Sequence, residues 1–202
     1  MTTSASVFIR RYRMQIELSK HLDWIRGEGS IGGELRGREF DSSPLRLREW
    51  HSKLTSLHAL AKWESFRQEM DGNVFACLAD REGCKQLMRD LAARDNFVPE
   101  ATWLALAVES RGEEKPIGTI QGLRVGPVLG AIQNIGVVPD WRGRGLGKEL
   151  IRRALGGFLD TGCRTVSLEV TTHNLSAIGL YQSVGFEIAE TVFKYCYLNI
   201  QR

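Results

Sequence analysis

One heptapeptide constrains this chain more than any other stretch. Arg142-Gly143-Arg144-Gly145-Leu146-Gly147-Lys148 follows an apolar run, Ala131 to Val138, and leads into a segment with Leu150, Ile151, Ala154 and Leu155 at helical spacing. Glycines at a strand-to-helix turn let the backbone come close to a ligand. The free N–H groups of the first helical turn then face that ligand with the positive end of the helix dipole behind them. An anion fits there, most often a phosphate.

The spacing argues against two common phosphate users. A P-loop needs four residues between its glycines and then Lys followed by Ser or Thr, whereas three residues separate Gly143 from Gly147 and Glu149 follows Lys148. A dinucleotide fingerprint needs G-x-G-x-x-G in an early βαβ unit, and here G-x-G-x-G stands late in the chain. Arg142, Arg144, Lys148, Arg152 and Arg153 against the single Glu149 suit a ligand with several phosphates. The competing reading is a plain glycine-rich connection before a solvated basic helix face.

Composition narrows the class further. The 202 residues are the length of one good-sized α/β domain, and 43% hydrophobic with 25% charged residues excludes a disordered chain, a coiled coil and a collagen-like repeat. The 27 basic against 24 acidic residues leave +3, too small a surplus for a general nucleic-acid binder. Cys77, Cys84, Cys163 and Cys196 form no C-x-x-C pair, and His21, His51, His58 and His173 form no zinc-chelating group. The expectation is four free thiols and no metal. No stretch reaches the ~18 apolar residues of a membrane span, and residues 1–14 are too polar for a signal peptide, so the expected location is the cytoplasm.

Along the chain, Val7 to Leu18 reads as an opening strand. Gly27 to Gly37 carries five glycines and reads as a mobile loop. Ser43 and Pro44 signal a helix start, and Leu47, Trp50, Leu54, Leu57 and Ala61 then recur at spacings of three and four, a stripe best read as core packing. A further helix runs from about Asp80 to Asp95 with Leu87, Met88 and Leu91 inward. Thr102 to Val108, Gly118 to Val125 and Ala131 to Val138 form an antiparallel meander. After it come a helix (Gly145 to Leu159), a strand (Thr165 to Val170), a helix (Asn174 to Val184) and a closing strand pair (Phe186 to Ala189, Val192 to Leu198). The whole predicts an α/β chain, a mixed and mostly antiparallel sheet of six to seven strands with helices on both faces, in one domain.

These residues resemble the GNAT superfamily of acetyl-CoA-dependent N-acetyltransferases. The family's Arg/Gln-x-x-Gly-x-Gly/Ala motif is matched by Arg142, Gly145 and Gly147 behind Val137-Val138-Pro139. A second block is similar in Leu168-Glu169-Val170, Asn174, Ala177, Leu180-Tyr181 and Gly185-Phe186. The resemblance is densest over residues 131–186, while residues 27–70 diverge from the pattern. It implies a GNAT fold with a splayed central strand pair and a cofactor core at 131–186. The pyrophosphate of acetyl-CoA would sit on the amides of Arg142, Gly143, Arg144, Gly145, Leu146 and Gly147, beside Lys148, and pantetheine would pair with Ile135, Gly136 and Val137. It further implies Asn174 as a cofactor contact and Tyr181 as donor to the leaving thiolate. Read from the residues alone, Asn174 is also a helix N-cap, and Tyr181 is also a half-buried aromatic.

For the base, Glu169 is the candidate. Alternation along Thr165 to Val170 puts Ser167 and Glu169 on the face opposite Val166, Leu168 and Val170. The competing reading is a carboxylate paired with a cross-strand arginine, with water as base. The function implied is acetyl transfer in a ternary complex to a protein N-terminus or a small amine, by a monomer or homodimer. The alternative is a non-catalytic acyl-CoA-binding sensor.

Overall fold

The computed structural model of the chain describes residues 3–28, 45–67, 69, 76–78, 80–109 and 112–200. The expected glycine loop beyond Glu28, and the Ser43-Pro44 helix start, lie outside these residues, as does the side chain of Cys196. Cys77, Cys84 and Cys163 are free thiols.

Among the described residues seven strands form one sheet. Its strands are β1 (Thr3–Glu17), β2 (Leu45–Glu49), β3 (Phe97–Val108), β4 (Glu114–Arg124), β5 (Leu129–Val137), β6 (Thr165–Thr171) and β7 (Glu187–Ile200), in the spatial order β2-β3-β4-β5-β6-β1-β7. Every pair is antiparallel except β5 with β6. The first strand lies between β6 and β7, so both ends of the described chain are on one side of the sheet.

The helices are α1 (Leu22–Arg26), α2 (Thr55–Phe66), α3 (Arg81–Ala92), α4 (Leu146–Asp160) and α5 (Leu175–Gln182). One apolar cluster joins Trp24 of α1, Leu150 and Phe158 of α4 and Ile178 of α5 to Trp103, Ile120, Val166 and Leu168 of the sheet. Other clusters join α2 and α3 to Leu123, and Ala61 of α2 to Leu104 and Leu106. Strand β3, next to the β2 edge, is therefore buried on both faces, Trp103 and Ala105 against α4 and its neighbours, Leu104 and Leu106 against α2. Gly157 of α4 lies so close to the backbone of Glu100 that a Cβ there has no room, which presses α4 onto β3. That contact fixes the helix whose N-terminus carries the glycine turn.

Two expectations about elements change. Leu45–Glu49 is a strand, not the start of a helix: Leu45 and Leu47 point to the core, while Arg46 and Arg48 meet Glu114 at 3.1 and 2.7 Å. The three-and-four spacing of Leu47 and Trp50 is coincidental, and the helical stripe begins only at Leu54 and Leu57. The closing strand pair is one strand, β7, whose register against β1 shifts between Arg13 and Met14. A bulge there carries the strand through Ala189, where the expected pair divides.

The splay is visible in the register. β5 and β6 pair from Leu129 with Thr165 to Ile132 with Leu168, and β5 then runs on to Val137 without a β6 partner among the described residues.

Candidate functional site

A cleft of about 590 Å³ opens where β5 leaves β6. Its floor is Ile135, Gly136 and Val137; one wall is the turn from Trp141 to Lys148; another is α5 with Asn174 and Tyr181. The eleven residues named from the sequence as cofactor contacts, and Tyr181 with them, thus line a single cleft. The volume falls in the range of small-molecule and cofactor sites.

The turn has the form its glycines predict. Gly143 and Gly145 adopt φ of +72° and +87°, the left-handed region that a side chain strains. Gly145 is the N-cap of α4 and supplies no side-chain cap, so the first amides of the helix point into the cleft with their hydrogen-bonding capacity unmet by a cap. A Cβ on Gly143 would meet nothing within 4 Å. An uncapped helix N-terminus behind an open backbone cradle fits a pyrophosphate. Gly147 serves a different end, since a Cβ there would stand 3.0 Å from Leu180, and α4 and α5 pack together at that point.

The cations around the turn are more committed than their sequence positions imply. Arg152 and Arg153, expected to serve the phosphates, are held elsewhere. Arg152 grips the Glu149 carboxylate at 2.6 and 2.8 Å and donates to the Ile25 carbonyl at 3.0 Å, and Arg153 meets Glu149 at 2.9 Å while lying over the Trp103 ring. Burial pushes the Glu149 carboxyl up, but the two arginines outweigh it and hold the group below its ordinary range. One glutamate thus draws two cations away from the cleft. Arg144 stacks over the Trp141 ring at 5.2 Å. Arg142 donates to the Val137 and Ser65 carbonyls and to Glu69, at 3.0, 2.9 and 2.6 Å.

Asn174 lines the cleft and caps α5, its Oδ1 accepting from the Ala177 amide at 3.1 Å. The cap and the contact position coincide. Tyr181 is 7% exposed, its ring 6.0 Å from that of Phe186. Glu169 lies on the face opposite Leu168, as alternation requires, but it is not among the residues lining the cleft. Its carboxylate stands 3.1 Å from Arg13 and 3.7 Å from Arg11, and its carbonyl accepts from Arg11 at 2.8 Å. The structure therefore shows the cross-strand ion pair that competed with the reading of Glu169 as a base.

The cleft has a further wall that the sequence did not disclose: Ser65, Phe66 and Glu69 at and just beyond the end of α2. No local pattern marks them, because they reach the cleft only by packing of α2 across the sheet. Behind them a buried polar chain seats α2 on β4. The His58 Nδ1 lies 2.8 Å from the Thr119 hydroxyl, Gln121 donates to that hydroxyl, and Lys62 donates to the Gln121 carbonyl oxygen at 2.6 Å. Burial lowers the His58 imidazole to about 3, helped by the nearby Lys62 charge, and lowers the Lys62 ammonium to about 7. The signal available in the sequence was a lysine within the stripe of an apolar helix face, which reads by default as a solvated residue.

Comparison with known proteins agrees with this architecture. The family model described as "Acetyltransferase (GNAT) family" matches residues 58–186. Mycothiol acetyltransferase of Thermobifida fusca is 42% identical over 74 residues, 37% of this chain and 23% of that protein. N-alpha-acetyltransferase RimI of Mycobacterium tuberculosis is 34% identical over 119 residues, 54% of this chain and 73% of that protein. The first curated relatives are matched over less than two thirds of their own length, 23% and 52%. Among solved structures, the aminoglycoside N-acetyltransferase AAC(6')-Iy in complex with CoA superposes with a TM-score of 0.58 at 18% identity, covering 77% of this chain and 96% of that one. With a family model spanning more than half its length over the turn, the splay and α5, the chain belongs to the GNAT acetyltransferase family.

Proposed function

We propose that the protein is an acetyl-CoA-dependent N-acetyltransferase acting on a primary amine by direct attack in a ternary complex. The observation that carries this reading is the uncapped N-terminus of α4, with its left-handed glycines, opening into the cleft where β5 departs from β6. The amides from Gly143 to Gly147 hold the pyrophosphate, and the backbone of Ile135 to Val137 supplies the strand edge for the pantetheine arm. The thioester supplies the acetyl group. Its carbonyl carbon gains a bond to the amine nitrogen and loses its bond to sulfur. Tyr181 gives its phenolic proton to the departing thiolate, and solvent restores it. The amine's proton passes to water, because Glu169 is engaged by two arginines and stands off the cleft.

The relatives named for N-alpha acetylation and for mycothiol acetylation support a primary amine on either a protein N-terminus or a small molecule. The test is a panel of amine acceptors, comprising peptide N-termini, lysine peptides, polyamines, aminoglycosides and amino sugars, scored by released thiol with acetyl-CoA as donor. Acceptor-dependent thiol release is expected. Tight acetyl-CoA binding with no release across the panel favours the non-catalytic sensor.

A further inference from the structure

The side chain of Arg142 is engaged by the protein itself. Its three hydrogen bonds run to Val137 at the end of β5, to the carbonyl of Ser65 in the last turn of α2, and to the Glu69 carboxylate beyond that turn. A cation on the exposed carbonyls of a helix C-terminus is favourable in itself. Here the cation is covalently part of the turn that faces the cleft. The end of α2 is also in direct contact with the cleft floor: a Cβ on Gly136 would stand 2.7 Å from the Cβ of Ser65. With the floor, the turn and α5 given to the cofactor, the α2 end is the wall left for the acceptor. Glu69 is the one carboxylate among the described residues that line the cleft.

We propose that Arg142 is a positioning residue that couples the two substrate sites, its backbone seated in the phosphate turn and its side chain holding Ser65, Phe66 and Glu69 as the acceptor wall. Seating the phosphates fixes the turn, the turn fixes the guanidinium, and the guanidinium fixes the end of α2. Acetyl-CoA thereby orders the surface that receives a cationic amine. This inference rests on the acetyltransferase reading above, and its test separates the two.

The test is amide hydrogen exchange of Trp63 to Arg67 with and without saturating acetyl-CoA, alongside calorimetric titration, for wild type, Arg142→Ala and Glu69→Gln. Acetyl-CoA is expected to slow exchange at these amides at least fivefold in the wild type. Both variants are expected to lose most of that protection at saturating acetyl-CoA, the concentration that saturates each being set from its own titration. With any acceptor the amine panel returns, Arg142→Ala should raise the acceptor KM at least fivefold, and Arg142→Lys should recover part of it. Protection that persists in both variants at saturating acetyl-CoA overturns the coupling. Wild-type protein that binds acetyl-CoA without protecting these amides also overturns it, and leaves the acetyltransferase reading standing. Wild-type protein that binds no acetyl-CoA overturns both.

Discussion

Arg13 and Glu169 stand directly opposite each other on β1 and β6, with 3.1 Å between guanidinium and carboxylate. Arg13 also grips Glu190 on β7, so one side chain ties three neighbouring strands together. Arg11 adds a hydrogen bond to the Glu169 carbonyl and a longer approach to its carboxylate. The strand that begins the chain is thereby stitched to β6 just past the point where β6 parts from β5.

Glu169→Gln keeps the shape of that side chain and removes its charge. With the carboxylate one-third exposed, the pair is expected to contribute about 0.2–1 kcal/mol, seen as a small drop in melting temperature. The rate and the acid limb of the kcat/KM profile, which a carboxylate base would set, should barely move. A loss of roughly 10²-fold with normal stability would return Glu169 to the role of general base, acting across the splay.

Tyr181→Phe removes a hydroxyl from a ring that stays packed beside Phe186. Turnover should fall roughly 10²-fold, the size expected of a lost general acid, while calorimetry shows unchanged acetyl-CoA affinity. An unaltered rate under conditions where chemistry is limiting would make the hydroxyl structural.

Gly145→Asp places a side chain at φ of +87° and a negative charge where the phosphates are to sit. Acetyl-CoA affinity should drop at least tenfold, about 1.4 kcal/mol. Asp tolerates left-handed backbone better than most residues and is a favoured N-cap, so the fold should survive with little thermal penalty. Wild-type affinity in this variant would remove the pyrophosphate from the turn.

What could be read in advance follows the range of the interactions involved. The turn, β5, β6 and α5 are contiguous in sequence, and their chemistry is local: glycine φ, an Asn cap and an apolar alternation each act within a few residues. That is why the residues chosen as cofactor contacts, from Ile135 to Tyr181, fall on one cleft, while Glu169, whose partners Arg11 and Arg13 come from the far end of the chain, does not line it. Arg152 and Arg153 suit the phosphates only as bare charges, and Glu149 at three and four residues' distance is a helix-surface neighbour that claims both. Leu47 fits both patterns, since a stripe of period 3.5 and a strand of period 2 share positions over so short a run. The wall formed by the end of α2 is out of reach altogether. Ser65 and Glu69 meet Arg142 across more than seventy residues, and nothing short-ranged encodes that meeting.

Behind that wall lies the buried polar chain of His58, Thr119, Gln121 and Lys62. Lys62 has its ammonium lowered to about 7 in the folded protein by burial, against an ordinary value near 10.5. Between those values the unfolded chain binds a proton that the folded chain refuses, so stability rises with pH across the window and is lowest, from this group, below about 7. Buried Cys84 acts with the opposite sign from about 9 upward, because its thiol is pushed up to about 11 and the unfolded chain gives up its proton first. On the acid side the imidazole of His58, lowered to about 3, withholds stability as pH falls below about 6.5. The clean interval is therefore pH 7 to 9. There the unfolding free energy of the wild type should climb with pH, with at most about 1.4 kcal/mol per unit from this single proton. Lys62→Met keeps the buried volume and should flatten that climb, at the expense of leaving Gln121 without its donor. Denaturant unfolding of both proteins at pH 7, 8 and 9 decides it: parallel curves would mean that Lys62 is protonated in the folded state throughout, and that the network carries its charge.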